Sequence, residues 1–243
     1  MEKVVIIPTY NEKENIEAIV RKVFSLSEAF DILVIDDGSP DGTADIVKRL
    51  QGEFSGKLHL VQRAGKQGLG TAYIAGFRWA LERDYDYVFE MDADFSHNPE
   101  DLLRLYGAVV ERGAGVVIGS RYVCGVNVVN WPMKRVIMSY YASLYVRKMT
   151  GMPVRDATAG FVCYSRAALE AIDFDRIRMK GYGFQIEMKY TAWRLGWKIV
   201  EVPIIFTDRT LGTSKMSSGF FGEAFWGVMK LRFRKIAGRE WKS

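Results

Sequence analysis

The chain has 243 residues, 49% hydrophobic and 13% aromatic, which is enough apolar material for one sizeable core and excludes wholesale disorder. Its 34 Lys and Arg outweigh 29 Asp and Glu, and a net charge of +5 suits an anionic partner: a nucleic acid, a phosphorylated molecule or an acidic lipid surface. No stretch approaches the ~20 apolar residues that cross a bilayer, and no signal-peptide pattern precedes the first apolar run. The two cysteines, Cys124 and Cys163, lie far apart without C-x-x-C spacing and read as reduced cytosolic thiols.

Apolar runs of strand length alternate with helical patterns, which predicts an α/β domain with a mostly parallel sheet flanked by helices. The first strand is Val4-Val5-Ile6-Ile7, halted by Pro8; Asn11, with Glu14 three residues on, reads as a capping box opening a helix to about Phe24. The second strand, Ile32-Leu33-Val34-Ile35, runs into the turn-rich Asp36-Asp37-Gly38-Ser39-Pro40-Asp41-Gly42 and a helix near Thr43 to Leu50. A third, Leu58-His59-Leu60-Val61, precedes a Gly-rich loop and a helix from about Leu69 to Leu81. Tyr87-Val88-Phe89 forms the fourth and ends in Glu90-Met91-Asp92-Ala93-Asp94; a helix from Pro99 to about Glu111 follows.

The fifth strand, Gly115-Val116-Val117-Ile118-Gly119, delivers Ser120-Arg121. Beyond it come a long helix around Trp131 to Met149, a short strand after Gly160, a helix from about Phe184 to Leu195 and a strand from Lys198 to Phe206. No repeat, low-complexity tract or linker interrupts the chain, so one domain is expected over 1–216, with an amphipathic C-terminal segment over 217–243.

Four polar clusters fall where strands end: Pro8-Thr9-Tyr10-Asn11-Glu12, Asp36-Asp37, Asp92-x-Asp94 and Ser120-Arg121. Parallel strands place such ends along one rim, where an open α/β sheet binds its ligand. Carboxylates there need a positive partner, so Asp92-x-Asp94 reads as a seat for a divalent cation, Mg²⁺ or Mn²⁺, that carries a phosphorylated ligand. Asp36-Asp37-Gly38 alone also fits a hydrogen-bonded turn, and Tyr10 fits either a base-stacking ring or an aromatic packed on the sheet edge. Gly65-Lys66-Gln67-Gly68-Leu69-Gly70 matches neither phosphate-loop pattern, and close helix packing at Gly68 and Gly70 is the expected reason for its glycines.

Pro8-Thr9-Tyr10-Asn11-Glu12, Asp36-Asp37-Gly38-Ser39, Gly68-Leu69-Gly70 and Met91-Asp92-Ala93-Asp94 resemble the nucleotide-sugar half of family-2, GT-A-type glycosyltransferases. Asp36 to Thr43, Ile118-Gly119-Ser120-Arg121-Tyr122, Val128-Val129-Asn130-Trp131-Pro132 and Arg155-Asp156-Ala157-Thr158-Ala159-Gly160-Phe161 are similar to the dolichyl- or polyprenyl-phosphate mannose synthases. The resemblance covers about residues 3 to 216.

It implies that Pro8, Tyr10, Glu12, Ile35 and Asp37 line a nucleotide pocket, and that Asp92, Ala93 and Asp94 meet ribose, diphosphate and metal, with Asp94 the main ligand. Arg121, Arg135 and Ser139 would hold the phosphate of a lipid acceptor, Arg121 also reaching the donor; Arg209 and Lys215 would hold the nucleotide diphosphate. Some relatives carry a Gln ligand where this chain has Ser96, a position that water is expected to fill. Asp156 would order the metal site or sugar, or brace a neighbouring arginine such as Arg155. Gln185 and Glu187 lie where relatives place an acceptor-side carboxylate, and sugar-hydroxyl recognition is expected of them.

The implied reaction moves mannose from GDP-mannose to polyprenyl or dolichyl phosphate with inversion. UDP-glucose as donor and a silent nucleotide-sugar binder are the rival readings. From Phe220 to Ile236, aromatic and aliphatic residues are joined by Lys230, Arg232, Arg234 and Lys235, which suits either a helix in the membrane interface or a core-docking helix with a basic end. The expected setting is peripheral, on the cytoplasmic side of a membrane, with a separate membrane-anchoring subunit as one means of attachment. No basic stripe with interleaved aromatics precedes this segment, so nucleic acid is not an expected partner.

Overall fold

The computed structural model describes residues 1–179, 181–208 and 220–234. The strands are β1 (Lys3–Thr9), β2 (Asp31–Asp36), β3 (Leu58–Gln62), β4 (Tyr87–Glu90), β5 (Val116–Ser120), β6 (Val128–Val129), β7 (Val162–Ser165), β8 (Ile199–Pro203) and β9 (Phe206–Thr207). The helices are α1 (Ile16–Phe24), α2 (Thr43–Glu53), α3 (Leu69–Leu81), α4 (Asp101–Arg112), α5 (Met133–Thr150), α6 (Arg166–Glu170), α7 (Tyr182–Arg194) and α8 (Phe220–Phe233). Seven strands form one sheet in the order β3-β2-β1-β4-β7-β5-β8, and β6 pairs with β9 in a small second sheet.

Strand alternation divides the core between the two faces. Val4 and Ile6 of β1 face α3 and α7, joining Tyr73, Phe77 and Phe184; Val5 and Ile7 face the other way, onto Ile16, Ile19 and Val47 of α1 and α2. Both faces are covered, which is why the strands read as continuous apolar runs.

The sheet is mostly parallel, as expected; β7, which lies between β4 and β5, is antiparallel to both. Three expectations are corrected. The strand expected from Lys198 to Phe206 breaks after Pro203, and β9 leaves to pair with β6. β1 runs through Pro8 to Thr9; Met91 N–H bonds the Ile6 carbonyl, and Pro8 is the next residue on that side, where β4 has ended and no donor is required. Asn11 is no helix cap: it is left-handed (φ 57°), and α1 starts only at Ile16. The backbone N–H groups of Asn11, Glu12 and Lys13 are taken by Ser39, Thr43 and Asp41 of the next loop, which holds this stretch out of the helix.

The two glycines at the start of α3 also have different causes. A Cβ on Gly70 would lie 2.8 Å from the Phe184 ring, as close packing requires; Gly68 has open space around it and is needed instead for its φ of 101°.

Candidate active site

β1 is parallel to β2 and β4, while β4 and β5 are both antiparallel to β7, so β1, β2, β4 and β5 point the same way. The four polar clusters therefore emerge on one edge.

The first two clusters interlock. Asp36 is fully buried and accepts from Thr9 Oγ1 (2.9 Å) and from the backbone N–H (3.0 Å) and hydroxyl (2.5 Å) of Ser39, closing the turn after β2. Its neighbour Asp37 accepts from Arg63 Nε at 2.6 Å, and Arg63 Nη1 donates to Thr71 Oγ1 at 2.8 Å. Pro8 pairs in register with the buried Ile35, which lies beside it on the neighbouring strand. Tyr10 is half-buried, with the Lys66 ammonium 5.2 Å from its ring centre, and Glu12 accepts from Asn15 Nδ2.

The acidic pair follows the short β4. Ser96 N–H donates to Asp94 Oδ1 at 3.1 Å and fixes the largely buried Asp94, whereas the Asp92 side chain is 40% exposed. Ala93 between them is buried. His97, buried and stacked on Phe161 at 4.8 Å, accepts from the Asp92 N–H through Nδ1. Burial pushes the His97 imidazole down to about 4 against the opposing pull of Asp94, so it is neutral at pH 7. The pair is all-oxygen, as hard Mg²⁺ or Mn²⁺ requires, and the Ser96 hydroxyl beside it is a buried polar atom without a partner among the described residues. Among the described residues no third carboxylate, imidazole or thiol completes a protein-only metal cluster, so this donor set fits an ion that also binds ligand or water oxygens.

Across from this loop lies Arg121, 6% exposed. Asp156 accepts from its backbone N–H (2.9 Å), Nε (2.7 Å) and Nη2 (2.6 Å), and Thr158 Oγ1 accepts from Nη2 at 2.9 Å. Asp156 thus braces an arginine, but Arg121 rather than the adjacent Arg155. Burial raises its pKa; the charge and hydrogen bonds of Arg121 outweigh that and hold it below the ordinary carboxylate value.

Arg135 reaches the same place from α5. The guanidinium groups of Arg135 and Arg121 lie 4.0 and 5.4 Å from the Trp131 ring centre, and Arg135 donates to Asp208 at 2.8 Å. Phe206 packs edge-on against both Trp131 and His97 and lies 5.6 Å from the Arg121 guanidinium, so this aromatic box ties the acidic loop to the two arginines. Ser139 lies one helical turn after Arg135 and beside the Tyr122 phenol. Arg209 and Lys215 lie outside the described residues.

Beneath the site, α7 is buried on every side from Gly183 to Ala192 yet carries Gln185, Glu187 and Lys189. Gln185 Nε2 donates to Glu90 at 2.8 Å; Glu187 accepts from the N–H groups of Arg178 and Met179 and pairs with Arg234. Lys189, fully buried, donates to the carbonyls of Ala157 (3.2 Å) and Ala159 (2.6 Å). Burial pushes Glu90 up and Lys189 down, each against the attraction of the other. Sequence reasoning missed the roles of Trp131, Phe206, His97, Thr158 and Lys189. Trp131 and Thr158 were visible only within motifs, and Lys189 left a signal of its own: three polar residues in a helix with no solvent-facing stripe.

Residues 4–173 match the family model described as glycosyl transferase family 2, and the chain belongs to that family. It is similar to an undecaprenyl-phosphate mannosyltransferase of Micrococcus luteus, 50% identical over 95% of this chain and 93% of that protein. Among solved structures it shares its fold with glucosyl-3-phosphoglycerate synthase of Mycobacterium tuberculosis in complex with UDP (TM-score 0.68, 19% identity, 96% of this chain and 80% of that one). A mannosyltransferase of Pyrobaculum calidifontis in complex with GDP-mannose and Mn²⁺ is also similar in fold (TM-score 0.56, 18% identity, 90% and 58%). The GT-A architecture expected from the motifs is the one observed.

Proposed function

We propose that the chain is an inverting mannosyltransferase that moves mannose from GDP-mannose to polyprenyl or dolichyl phosphate, giving a β-linked lipid phosphomannose. One observation carries this reading: the Asp92-x-Asp94 loop and the Arg121–Trp131–Arg135 cluster meet through His97 and Phe206 on a single sheet edge. Such a site can hold a nucleotide diphosphate on one side and a second phosphate on the other. The name of the Micrococcus luteus relative supports the acceptor and the sugar, and the Pyrobaculum calidifontis complex supports guanosine and a divalent ion.

Pro8, Tyr10, Glu12 and Asp37 line the nucleoside pocket above Ile35, and Asp92, Ala93 and Asp94 border the ribose and diphosphate. A divalent ion seated on Asp92 and Asp94 neutralises diphosphate charge when bound. The acceptor phosphate has a second pKa near ~6 and is largely dianionic at neutral pH, so no residue has to remove a proton. Its oxygen forms the new bond to the anomeric carbon as the bond from that carbon to GDP breaks. Arg121, Arg135 and Ser139 hold the attacking phosphate in line and screen it from the donor; Arg209 and Lys215 stabilise the leaving GDP.

The lipid acceptor also requires a membrane surface. α5 exposes Met133, Ile137 and Tyr141 on one face, and α8 exposes Trp226 and Phe233 beside Lys230 and Arg232, with Tyr145 stacked on Phe225 where the two helices meet. Val228 and Leu231 of α8 are buried, so the helix docks on the domain with one face and offers aromatics and cations with the other. Among the described residues no helix is long and apolar enough to cross a membrane. The exposed aromatic and basic side chains of α5 and α8 support peripheral attachment to a membrane, and the reading places it at the cytoplasmic face, alone or through a separate anchoring subunit. The test is a donor panel: purified protein, short-chain polyprenyl phosphate, Mg²⁺ or Mn²⁺, and labelled GDP-mannose or UDP-glucose. Transfer from GDP-mannose alone is expected; preference for UDP-glucose overturns the donor assignment, and no transfer with any lipid phosphate overturns the enzyme reading.

A further inference from the structure

Arg121 is held by a loop that lies outside the strands of the sheet. Asp156 and Thr158, which bind the guanidinium, lie in the segment between α5 and β7, and side chains from β8 and α7 help to fix that segment. From β8, Glu201 accepts the N–H groups of Arg155 (2.8 Å) and Asp156 (2.9 Å). From α7, the Lys189 ammonium binds the carbonyls of Ala157 and Ala159, the residues on either side of Thr158, at 3.2 and 2.6 Å.

Lys189 also accounts for its own burial. An ammonium removed from water needs several partners, and it has two loop carbonyls plus the backbone and side-chain oxygens of Gln185, both at 3.3 Å. Glu90 is not in direct contact with the ammonium among the described residues; Gln185 stands between them, donating to Glu90 at 2.8 Å. A lysine present only to neutralise Glu90 would touch its carboxylate. This one touches the loop.

We propose that Lys189 is a positioning residue for the acceptor arginine, its ammonium shaping the 156–159 turn so that Asp156 and Thr158 lock Arg121 in the orientation that receives the acceptor phosphate. This rests on the assignment of Arg121 and Arg135 to that phosphate.

Replacing Lys189 alone leaves Glu90 buried without a counter-charge, so the test is made in a Glu90→Gln background. Acceptor KM at saturating donor, GDP affinity by calorimetry with Mn²⁺, and thermal unfolding are measured for E90Q, E90Q/K189Q and E90Q/K189M. The expected acceptor KM rises in that order, by about tenfold from E90Q to E90Q/K189M, with GDP affinity unchanged; the Gln variant falls between because it keeps one donor for the carbonyls. An acceptor KM equal to that of E90Q in the Met variant, or GDP affinity falling in parallel with it, overturns the proposal. Should the Met variant not fold, E90Q/K189Q against E90Q decides in the same way. Arg135→Ala separates the two levels: unchanged acceptor KM in that variant refutes the acceptor assignment itself, whereas a raised KM there with none in the Lys189 series refutes only the role of Lys189.

Discussion

Asp156 and Arg121, 35 residues apart in the chain, form a three-point clamp: the carboxylate accepts the backbone N–H, Nε and Nη2 of the arginine at 2.6 to 2.9 Å. Both groups are almost fully buried. Breaking such a pair by removing one partner leaves an uncompensated charge and costs about 3–5 kcal/mol. Asp156→Asn should lower the unfolding free energy by that order in denaturant titration and impair transfer. Wild-type stability in the variant would show that the clamp is not what keeps Arg121 buried.

Two glycines should respond in opposite directions to alanine. Gly70→Ala drives a methyl into the Phe184 ring, a fully buried side chain with little room to move, and should cost about 1–3 kcal/mol. Gly52 lies in α2 with open space around it, and Gly52→Ala should stabilise by about 0.5–1 kcal/mol. Chemical denaturation of both variants checks the pair.

His59 supplies a pH dependence outside the site. Burial lowers its pKa from the usual 6.5, with Asp31 pulling the other way. A depressed folded-state pKa means that the folded protein resists protonation, so the stability from this group is full above pH 6.5 and lost as pH falls through the folded value. His59→Phe, which can keep the packing against Trp79, should flatten that part of the stability curve. An unchanged slope below pH 6.5 would assign it to other groups.

Membrane attachment through α8 predicts a selective defect. Trp226 is 61% exposed and Phe233 80% exposed, and each would transfer about 1.5–3 kcal/mol of apolar surface into a bilayer interface. Trp226→Ser with Phe233→Ser should weaken flotation with anionic vesicles by at least about tenfold while leaving GDP affinity unchanged. Equal flotation of both proteins would place the contact elsewhere.

The sheet edge was legible because buried parallel strands leave long apolar runs, and the polar residues that end them stand out. Asp37, Asp92, Asp94 and Arg121 all lie on the edge where that pattern puts them. The direction of β7 was not legible: a buried run such as Val162-Cys163-Tyr164 looks the same read either way. The apparent cap at Asn11 failed because tertiary hydrogen bonds from the Ser39–Thr43 loop took the backbone groups that a helix would have used. Partners far apart in sequence, such as Asp156 with Arg121 or Lys189 with Ala159, carry no local mark at all. Trp131 was visible only as part of a motif, and its contact with two arginines emerged from the fold.

The seat for a metal-bound donor beside an arginine-lined acceptor site is tested most directly by transfer of labelled mannose from GDP-mannose to polyprenyl phosphate, wild type against Asp94→Ala. Both proteins are first shown to unfold at similar temperatures. The expected result is loss of transfer in the variant at every Mn²⁺ and Mg²⁺ concentration, with chelation abolishing wild-type transfer and either ion restoring it. Undiminished transfer by folded Asp94→Ala would contradict the account.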